Sequence, residues 1–164
     1  MWKYEGVVKN AVHAIKYRYA TEIVQEICGY FVPELKKVGA QNLVTGNSHM
    51  VPIPIYWHRE NVRGFNQSEE IGKIVAKEMG WKFVPDLLIK NKSTKSQVEL
   101  SVKARKENLR GVFSLNPIYK SSVLNLRSVI LFDDVFTTGS TLKEAAKILK
   151  SNGVERVWGM TIAR

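Results

Sequence analysis

Cysteine is almost absent from this chain of 164 residues, which has Cys28 and no other. A single cysteine excludes an intrachain disulfide and a zinc site built from several thiolates. The hydrophobic neighbours in the segment EIVQEICGY predict a small buried side chain rather than a reactive thiol. The three histidines, His13, His49 and His58, show no close pairing of the kind that a metal site uses, so we expect no metal ligated directly by the protein.

Long apolar runs are also missing. No run approaches the ~20 residues that are needed to cross a bilayer. The segment 1–17 has polar or charged residues every few positions, unlike the hydrophobic stretch of a signal peptide. We therefore expect a cytoplasmic protein without membrane contact. With 45% hydrophobic residues, the chain has enough length and apolar content for a single domain with a real core.

Acidic residues are fewer than basic ones: the chain has 15 Asp and Glu and 25 Lys and Arg, which give a formal net charge of +10. This balance favours anionic partners such as phosphates, nucleotides or nucleic acid, with a merely solvated basic surface as the alternative. Basic residues concentrate between Lys90 and Arg110. The segment of about 92–110 is too polar and too long for a tight turn, and we expect a flexible functional loop there.

Hydrophobic periodicity predicts alternating helices and strands. Four helices are predicted. They cover residues 7–15, residues 21–37, a segment that begins with Ser68 as its N-cap and ends at Gly80, and residues 142–149 before Gly153. The predicted strands are 49–57, 83–90, 111–116, 129–135 and 155–163. Pro52 and Pro54 place the first strand at a sheet edge or make it end abruptly. The alternation implies right-handed crossovers and a doubly wound, mainly parallel α/β sheet.

The chemistry concentrates where the strand VILFDDV ends. In an open parallel sheet, ligands bind beyond the carboxyl ends of the strands, where Asp133 and Asp134 fall. Gly139 permits close approach of the backbone, and the N–H groups at the start of the following helix can bind a phosphate. The hydroxyl groups that can add hydrogen bonds are those of Thr137, Thr138, Ser140 and Thr141.

Because carboxylates repel phosphate, the natural partners of Asp133 and Asp134 are ribose hydroxyls or a divalent cation. The pattern therefore predicts a ribose phosphate site. A partly buried strand-end acid followed by an ordinary N-capping turn is the alternative.

The stretch VILFDDVFTTGST resembles the signature of type I phosphoribosyltransferases. The resemblance implies that Asp133 and Asp134 hold the ribose hydroxyls of phosphoribosyl pyrophosphate and that residues 137–141 cradle its 5-phosphate. It also implies Mg²⁺, bound mainly through the pyrophosphate. Purine-salvage members often carry an aspartate where this chain has Thr137, which argues against that subgroup.

A narrower resemblance covers nearly the whole chain. The segments YEGVVKNAVHAIKY, VPIPIYWHRENVRGFNQSEEIGK and LSVKARKENLRGVF, together with the phosphate motif, resemble the ComF family, which is related to competence for DNA uptake. Members of that family usually begin with a four-cysteine zinc module, which this sequence does not have. Functions that belong to that module are therefore not carried over to this chain.

Two basic segments are candidates for pyrophosphate binding. The loop after the first core strand commonly receives pyrophosphate in this fold class, so Arg59, Arg63 and Gly64 are predicted to bind it. The loop from Lys92 to Arg110 corresponds in position to the mobile hood of phosphoribosyltransferases, which closes over the substrate. The predicted groups that stabilise departing pyrophosphate are Lys103, Arg105 and Arg110, and we count Lys103 and Arg105 as catalytic together with the two aspartates. Solvated surface cations are the alternative for each.

Three functions are open, of which a purely structural interaction protein with a vestigial phosphate pocket ranks last, because both acids and the complete hydroxyl loop are present. The first is Mg²⁺-dependent transfer of a phosphoribosyl group to an unidentified acceptor, and the absence of a strong general base disfavours a familiar nucleobase. The second is a non-catalytic nucleotide-binding module that handles single-stranded DNA during competence. The expected partners are phosphoribosyl pyrophosphate or a nucleotide, with single-stranded DNA, a competence helicase and a second copy of the chain as further candidates.

Overall fold

The computed structural model describes residues 2–17, 21–40, 48–56, 64–93 and 111–164. The helices within these ranges are α1 (Gly6–Tyr17), α2 (Thr21–Lys37), α3 (Gln67–Met79) and α4 (Ser140–Ser151). The strands are β1 (His49–Pro52), β2 (Lys82–Phe83), β3 (Leu88–Lys90), β4 (Phe113–Leu115), β5 (Ser128–Val135) and β6 (Arg156–Ala163). Two short 3₁₀ helices, Pro117–Tyr119 and Val123–Asn125, lie between β4 and β5.

The central sheet has the strand order β2-β1-β5-β6, and every neighbouring pair in it is parallel. Strands β3 and β4 form a separate antiparallel pair. Trp2 adds a parallel bridge beside Ala163 on the outer side of β6. The predicted mainly parallel α/β architecture is confirmed.

The two faces of the sheet are covered by different elements. Met50, Ile130 and Phe132 are buried in the cluster that contains residues of α1, α2 and α3. Val51, Val129 and Leu131 are buried in the cluster that contains residues of α4, β3 and β4. Successive side chains of a strand point to opposite faces, so a continuous apolar run is what a strand covered on both sides requires. The predicted doubly wound arrangement is therefore confirmed.

Of the two possibilities predicted for β1, the abrupt end is confirmed, because the strand ends at Pro52, and the edge position is excluded, because β1 lies between β2 and β5. The N–H of Ile53 donates to the carbonyl of Phe132 on the β5 side at 2.8 Å, so position 52 faces the β2 side, where pairing ends at Met50 and a proline leaves no ladder bond unmade. A second prediction about the strands needs correction. The predicted strand over 83–90 is two strands in different sheets, separated by a turn at Pro85 and Asp86.

Several local predictions are confirmed. Gly80 ends α3 in the left-handed conformation, with φ 70°, and its N–H bonds the carbonyls of Ala76 and Lys77. Cys28 is buried and not in a disulfide. Within the described residues, no helix combines the length and the apolar character that crossing a membrane demands.

Candidate functional site

The carboxyl ends of β1 and β5 lie side by side, because the strands are parallel and Pro52 is in register with Phe132. Asp133 and Asp134 come directly after Phe132 within β5, and both are half-buried. Helix α3 begins at the same edge, since the hydroxyl of Ser68 donates to Oδ1 of Asp133 at 3.2 Å. The structure thus brings the end of β5 and the start of α3 together.

The start of α4 is built by a loop that only glycine suits. Gly139 is the residue before the helix and has φ 69°, a left-handed conformation that favours glycine. The hydroxyls of Thr138 and Ser140 are 2.8 Å apart, and the N–H of Ser140 donates to Oγ1 of Thr138 at 3.4 Å. Hydroxyls and backbone N–H groups therefore converge at this helix end, as the sequence predicted.

The starts of α3 and α4 differ in a way that bears on ligand binding. In α3, Asn66 caps the helix by accepting from the N–H of Ser68 at 3.1 Å, and Glu69 and Glu70 occupy the first turn. In α4, which the structure describes completely, the first turn has no acidic residue and the residue before it supplies no capping side chain. The partial positive charge of the helix N-terminus is thus offset by two acids in the first turn of α3 and by none in that of α4, where the N–H of Ser140 has Oγ1 of Thr138 as an acceptor.

The cap of α3 corrects a prediction. Ser68 was predicted to cap the helix, but Asn66 does so, and its Nδ2 also donates to the carbonyl of Ile53 at 3.1 Å. The Ser68 hydroxyl is directed to Asp133 instead. Asn66 and Ser68 were not predicted to act at the site, although both lie in the polar segment that precedes and opens α3.

A second donor reaches the same carboxylate oxygen. The backbone N–H of Asp134 donates to Oδ1 of Asp133 at 3.0 Å, so this oxygen accepts from both the strand end and α3. Bonds to an ionised acceptor are stronger than neutral ones. The orientation of the Asp133 carboxylate is therefore set before any ligand arrives.

The other predicted site residues divide into two groups. Thr137 is exposed, Thr138, Ser140 and Thr141 are half-buried, and Gly64 lies near the start of α3 with φ 79°. Arg59, Arg63, Lys103, Arg105 and Arg110 lie outside the described residues. Their assignment to pyrophosphate stays a prediction.

The donor set suits Mg²⁺ only in combination with phosphate. Among the described residues, no group of three or more His, Cys, Asp or Glu side chains could hold a metal. Mg²⁺ is usually bound through one or two carboxylates, water and substrate phosphates rather than by a cage of protein ligands. The pair Asp133 and Asp134 beside the hydroxyl-rich start of α4 is compatible with that mode.

A parallel α/β sheet whose inner strand β5 carries two acids near its carboxyl end, followed by a hydroxyl-rich loop and the start of α4, fits the type I phosphoribosyltransferase-like fold that the sequence predicts. The chain is also similar in sequence to the competence proteins F and ComFC and to the DNA utilization protein YhgH, in agreement with the resemblance found in the sequence. No family model matches the chain.

Three curated relatives illustrate the relationship. Competence protein F of Haemophilus influenzae is 39% identical over 119 residues, which are 70% of this chain and 50% of the relative. The YhgH protein of Salmonella typhi is 31% identical over 146 residues, 89% of this chain and 62% of the relative. ComFC of Bacillus subtilis is 26% identical over 153 residues, 93% and 58% of the two chains. The chain thus spans between half and two thirds of the length of these relatives.

Solved structures give more distant matches. A hypoxanthine phosphoribosyltransferase from Staphylococcus aureus aligns with a TM-score of 0.47 and 19% identity, over 92% of this chain and 69% of that one. A structure described as the allosteric regulatory enzyme of purine biosynthesis aligns with a TM-score of 0.45 and 17% identity, over 85% of this chain and 25% of that one.

Proposed function

We propose that the chain binds phosphoribosyl pyrophosphate, or a nucleotide, through its ribose 5-phosphate at the junction of β5 and α4. The observation that carries the proposal is the open start of α4, which has Gly139 before it and no acid in its first turn. The 5-phosphate would accept hydrogen bonds from the first N–H groups of α4 and from the hydroxyls of Thr138 and Ser140. The ribose hydroxyls would donate to Asp133 and Asp134 at the end of β5.

The reaction that we propose for this site is transfer of the phosphoribosyl group. The acceptor nucleophile forms a bond to C1′ of the ribose, the bond from C1′ to the pyrophosphate oxygen breaks, and pyrophosphate leaves with the electron pair while the acceptor releases its proton. Mg²⁺ would neutralise charge on the leaving group. Arg59, Arg63, Lys103 and Arg105 keep their predicted role in binding pyrophosphate. We retain the cytoplasm as the expected location.

Calorimetric titration of phosphoribosyl pyrophosphate with Mg²⁺ tests the binding. We expect Asp133→Asn and Asp134→Asn each to weaken binding by about tenfold or more, because each replaces a charged acceptor with a neutral one. Glu155→Gln is the matched control: it also removes one acidic charge, but Glu155 precedes β6 at the opposite end of the sheet and is exposed. Salt must be held constant so that general attraction between the basic chain and an anion does not differ between titrations.

The outcomes separate binding from catalysis. Binding that is lost in the two aspartate variants and kept in Glu155→Gln supports the site and justifies a screen of acceptors for pyrophosphate release. Absence of binding to the wild-type chain, or equal loss in all three variants, contradicts the proposal.

DNA handling without catalysis is the second candidate function. It is favoured by the relatives, which include a DNA utilization protein, and by the net charge of +10. Neutralisation of DNA phosphates by Lys and Arg gives binding that falls steeply with salt. Fluorescence anisotropy of a labelled single strand, measured at low and physiological salt with and without phosphoribosyl pyrophosphate, tests this candidate. Salt-sensitive DNA binding by a chain that does not bind phosphoribosyl pyrophosphate would favour DNA handling over the transferase.

A further inference from the structure

We infer that Ser68 is a positioning residue for Asp133, and that it acts on recognition of the ribose without touching the phosphate. The inference rests on the proposed function, because it concerns how the same site holds the ribose hydroxyls. Its structural basis is the hydrogen bond from Oγ of Ser68 to Oδ1 of Asp133, 3.2 Å long, between residues 65 positions apart in the chain.

Ser68 is itself held in place from the other side. Its N–H donates to Oδ1 of Asn66 at 3.1 Å, and Nδ2 of Asn66 donates to the carbonyl of Ile53, just beyond the end of β1. Asn66 and Ser68 are each only 5% exposed, so water does not compete readily for these bonds. An unbroken chain of hydrogen bonds thus connects the end of β1 to the carboxylate at the end of β5.

A role of Ser68 in capping does not explain its hydroxyl. Capping of α3 is performed by the side chain of Asn66, whereas the hydroxyl of Ser68 donates to a side chain on another element. Together with the N–H of Asp134, it fixes one oxygen of Asp133 in space. An acceptor whose orientation is fixed beforehand loses less conformational entropy when the ribose hydroxyls bind.

The phosphate end of the ligand is proposed to bind a different element of the fold. The groups proposed to hold it are the start of α4 and the hydroxyls of Thr138 and Ser140, which hydrogen-bond to one another at 2.8 Å. Loss of the Ser68 hydroxyl should therefore weaken the ribose contribution to binding and leave the phosphate contribution unchanged. A general loosening of the fold would weaken both.

The experiment compares two probes, ribose 5-phosphate and inorganic phosphate, by calorimetry. We expect Ser68→Ala to weaken binding of ribose 5-phosphate by about tenfold, as for loss of a hydrogen bond to a charged group, and to leave inorganic phosphate within about twofold. Ser68→Thr, which keeps the hydroxyl, should restore ribose 5-phosphate binding. Ser114→Ala is the control, since it removes a serine hydroxyl that donates to Asn91 on the β3–β4 pair at 3.3 Å.

Thermal unfolding of each variant accompanies the titrations. If Ser68→Ala lowers the melting temperature, Ser68→Cys takes its place, because a thiol has a similar volume and is only a weak donor. Equal weakening of both probes, or no weakening of either, overturns the inference and leaves the proposed site intact. A wild-type chain that binds neither probe overturns the proposed function and the inference with it.

Discussion

Gly139 and Phe136 lie so close together that a Cβ on residue 139 would be 2.7 Å from Cε2 of the Phe136 ring and 2.8 Å from its Cζ. Phe136 is anchored, since its N–H donates to the carbonyl of Ala163 in β6 at 2.8 Å. Gly139 also has φ 69°, where any other residue is strained. The turn between β5 and α4 therefore depends on glycine for two separate reasons.

We predict that Gly139→Ala lowers the free energy of unfolding by about 1–3 kcal/mol, because it adds backbone strain and a steric clash with the Phe136 ring. The same change should weaken binding of inorganic phosphate, since the N–H groups at the start of α4 are displaced. Urea denaturation and phosphate titration measure the two effects.

Gly29→Ala is the matched control for this substitution. Gly29 lies inside α2, and an added Cβ would meet nothing within 4 Å. Alanine is the better helix former, so this variant should gain about 0.5–1 kcal/mol. Similar changes in stability for the two variants would contradict the special role of Gly139.

The open start of α4 leads to a second prediction, in which stability and binding change in opposite directions. Thr141→Asp places an acid in the first turn, where it interacts favourably with the helix dipole and should raise the free energy of unfolding by about 0.3–1 kcal/mol. The same charge repels the proposed 5-phosphate. Binding of inorganic phosphate should therefore fall by about tenfold or more, as measured by calorimetry at fixed salt.

Glu70→Gln in α3 shows whether the two helix starts differ as the structure indicates. It removes an acid from the first turn of α3 and should lower stability by about 0.3–1 kcal/mol, with no change in phosphate binding. A Thr141→Asp variant that binds phosphate like the wild type would exclude the start of α4 as the anion site.

The main elements could be predicted from the sequence because their signals are local. α2 spans Thr21–Lys37 as expected, and the apolar run before Asp133 is the buried strand β5. The position of β1 could not be predicted, since Pro52 indicates a strand end but does not reveal that β5 pairs on one side and β2 on the other. Strand order depends on packing between distant segments.

The candidate site likewise has one part that the sequence predicts and one part that only the fold reveals. The β5–α4 junction is contiguous in sequence, so its acids, hydroxyls and Gly139 could be recognised together. The bond between Ser68 and Asp133 joins two elements that are far apart in the chain, and only the fold brings them together. The cap was predicted two residues too late because Ser68 and Asn66 are both good capping residues, and the structure uses Asn66.

Asn66 has a counterpart on the surface, which allows a third prediction. Asn116 also caps a helix, accepting from the N–H of Ile118 at 3.3 Å, and also donates to a distant carbonyl, that of Asp86, at 3.0 Å. Asn66→Ala should lower the free energy of unfolding by about 2–3 kcal/mol, because it removes a cap and leaves the buried carbonyl of Ile53 without this donor.

Asn116→Ala should cost only about 0.5–1 kcal/mol, because water can replace the lost bonds in its exposed setting. Urea denaturation of the two variants, with the slope of the transition compared as well, measures the difference. Equal losses in the free energy of unfolding would mean that the burial of Asn66 adds nothing to the stabilisation by its hydrogen bonds.

Burial of Cys28 predicts how stability depends on pH. Desolvation raises the pKa of its thiol from 9.0 to about 11, and the residue is 4% exposed. Between these values the unfolded chain has lost the thiol proton while the folded chain keeps it, so the free energy of unfolding falls as pH rises. The contribution is fully present below pH 9 and is lost by about pH 11, a decrease of roughly 2–3 kcal/mol.

Other groups titrate in the same range, so the measurement compares urea denaturation of the wild type and Cys28→Ala across that interval. The variant should be less stable than the wild type at pH 8 because of the atom it removes, and this deficit should shrink or reverse by pH 11. A constant difference between the two proteins would show that the thiol ionises equally readily in the folded and unfolded chains.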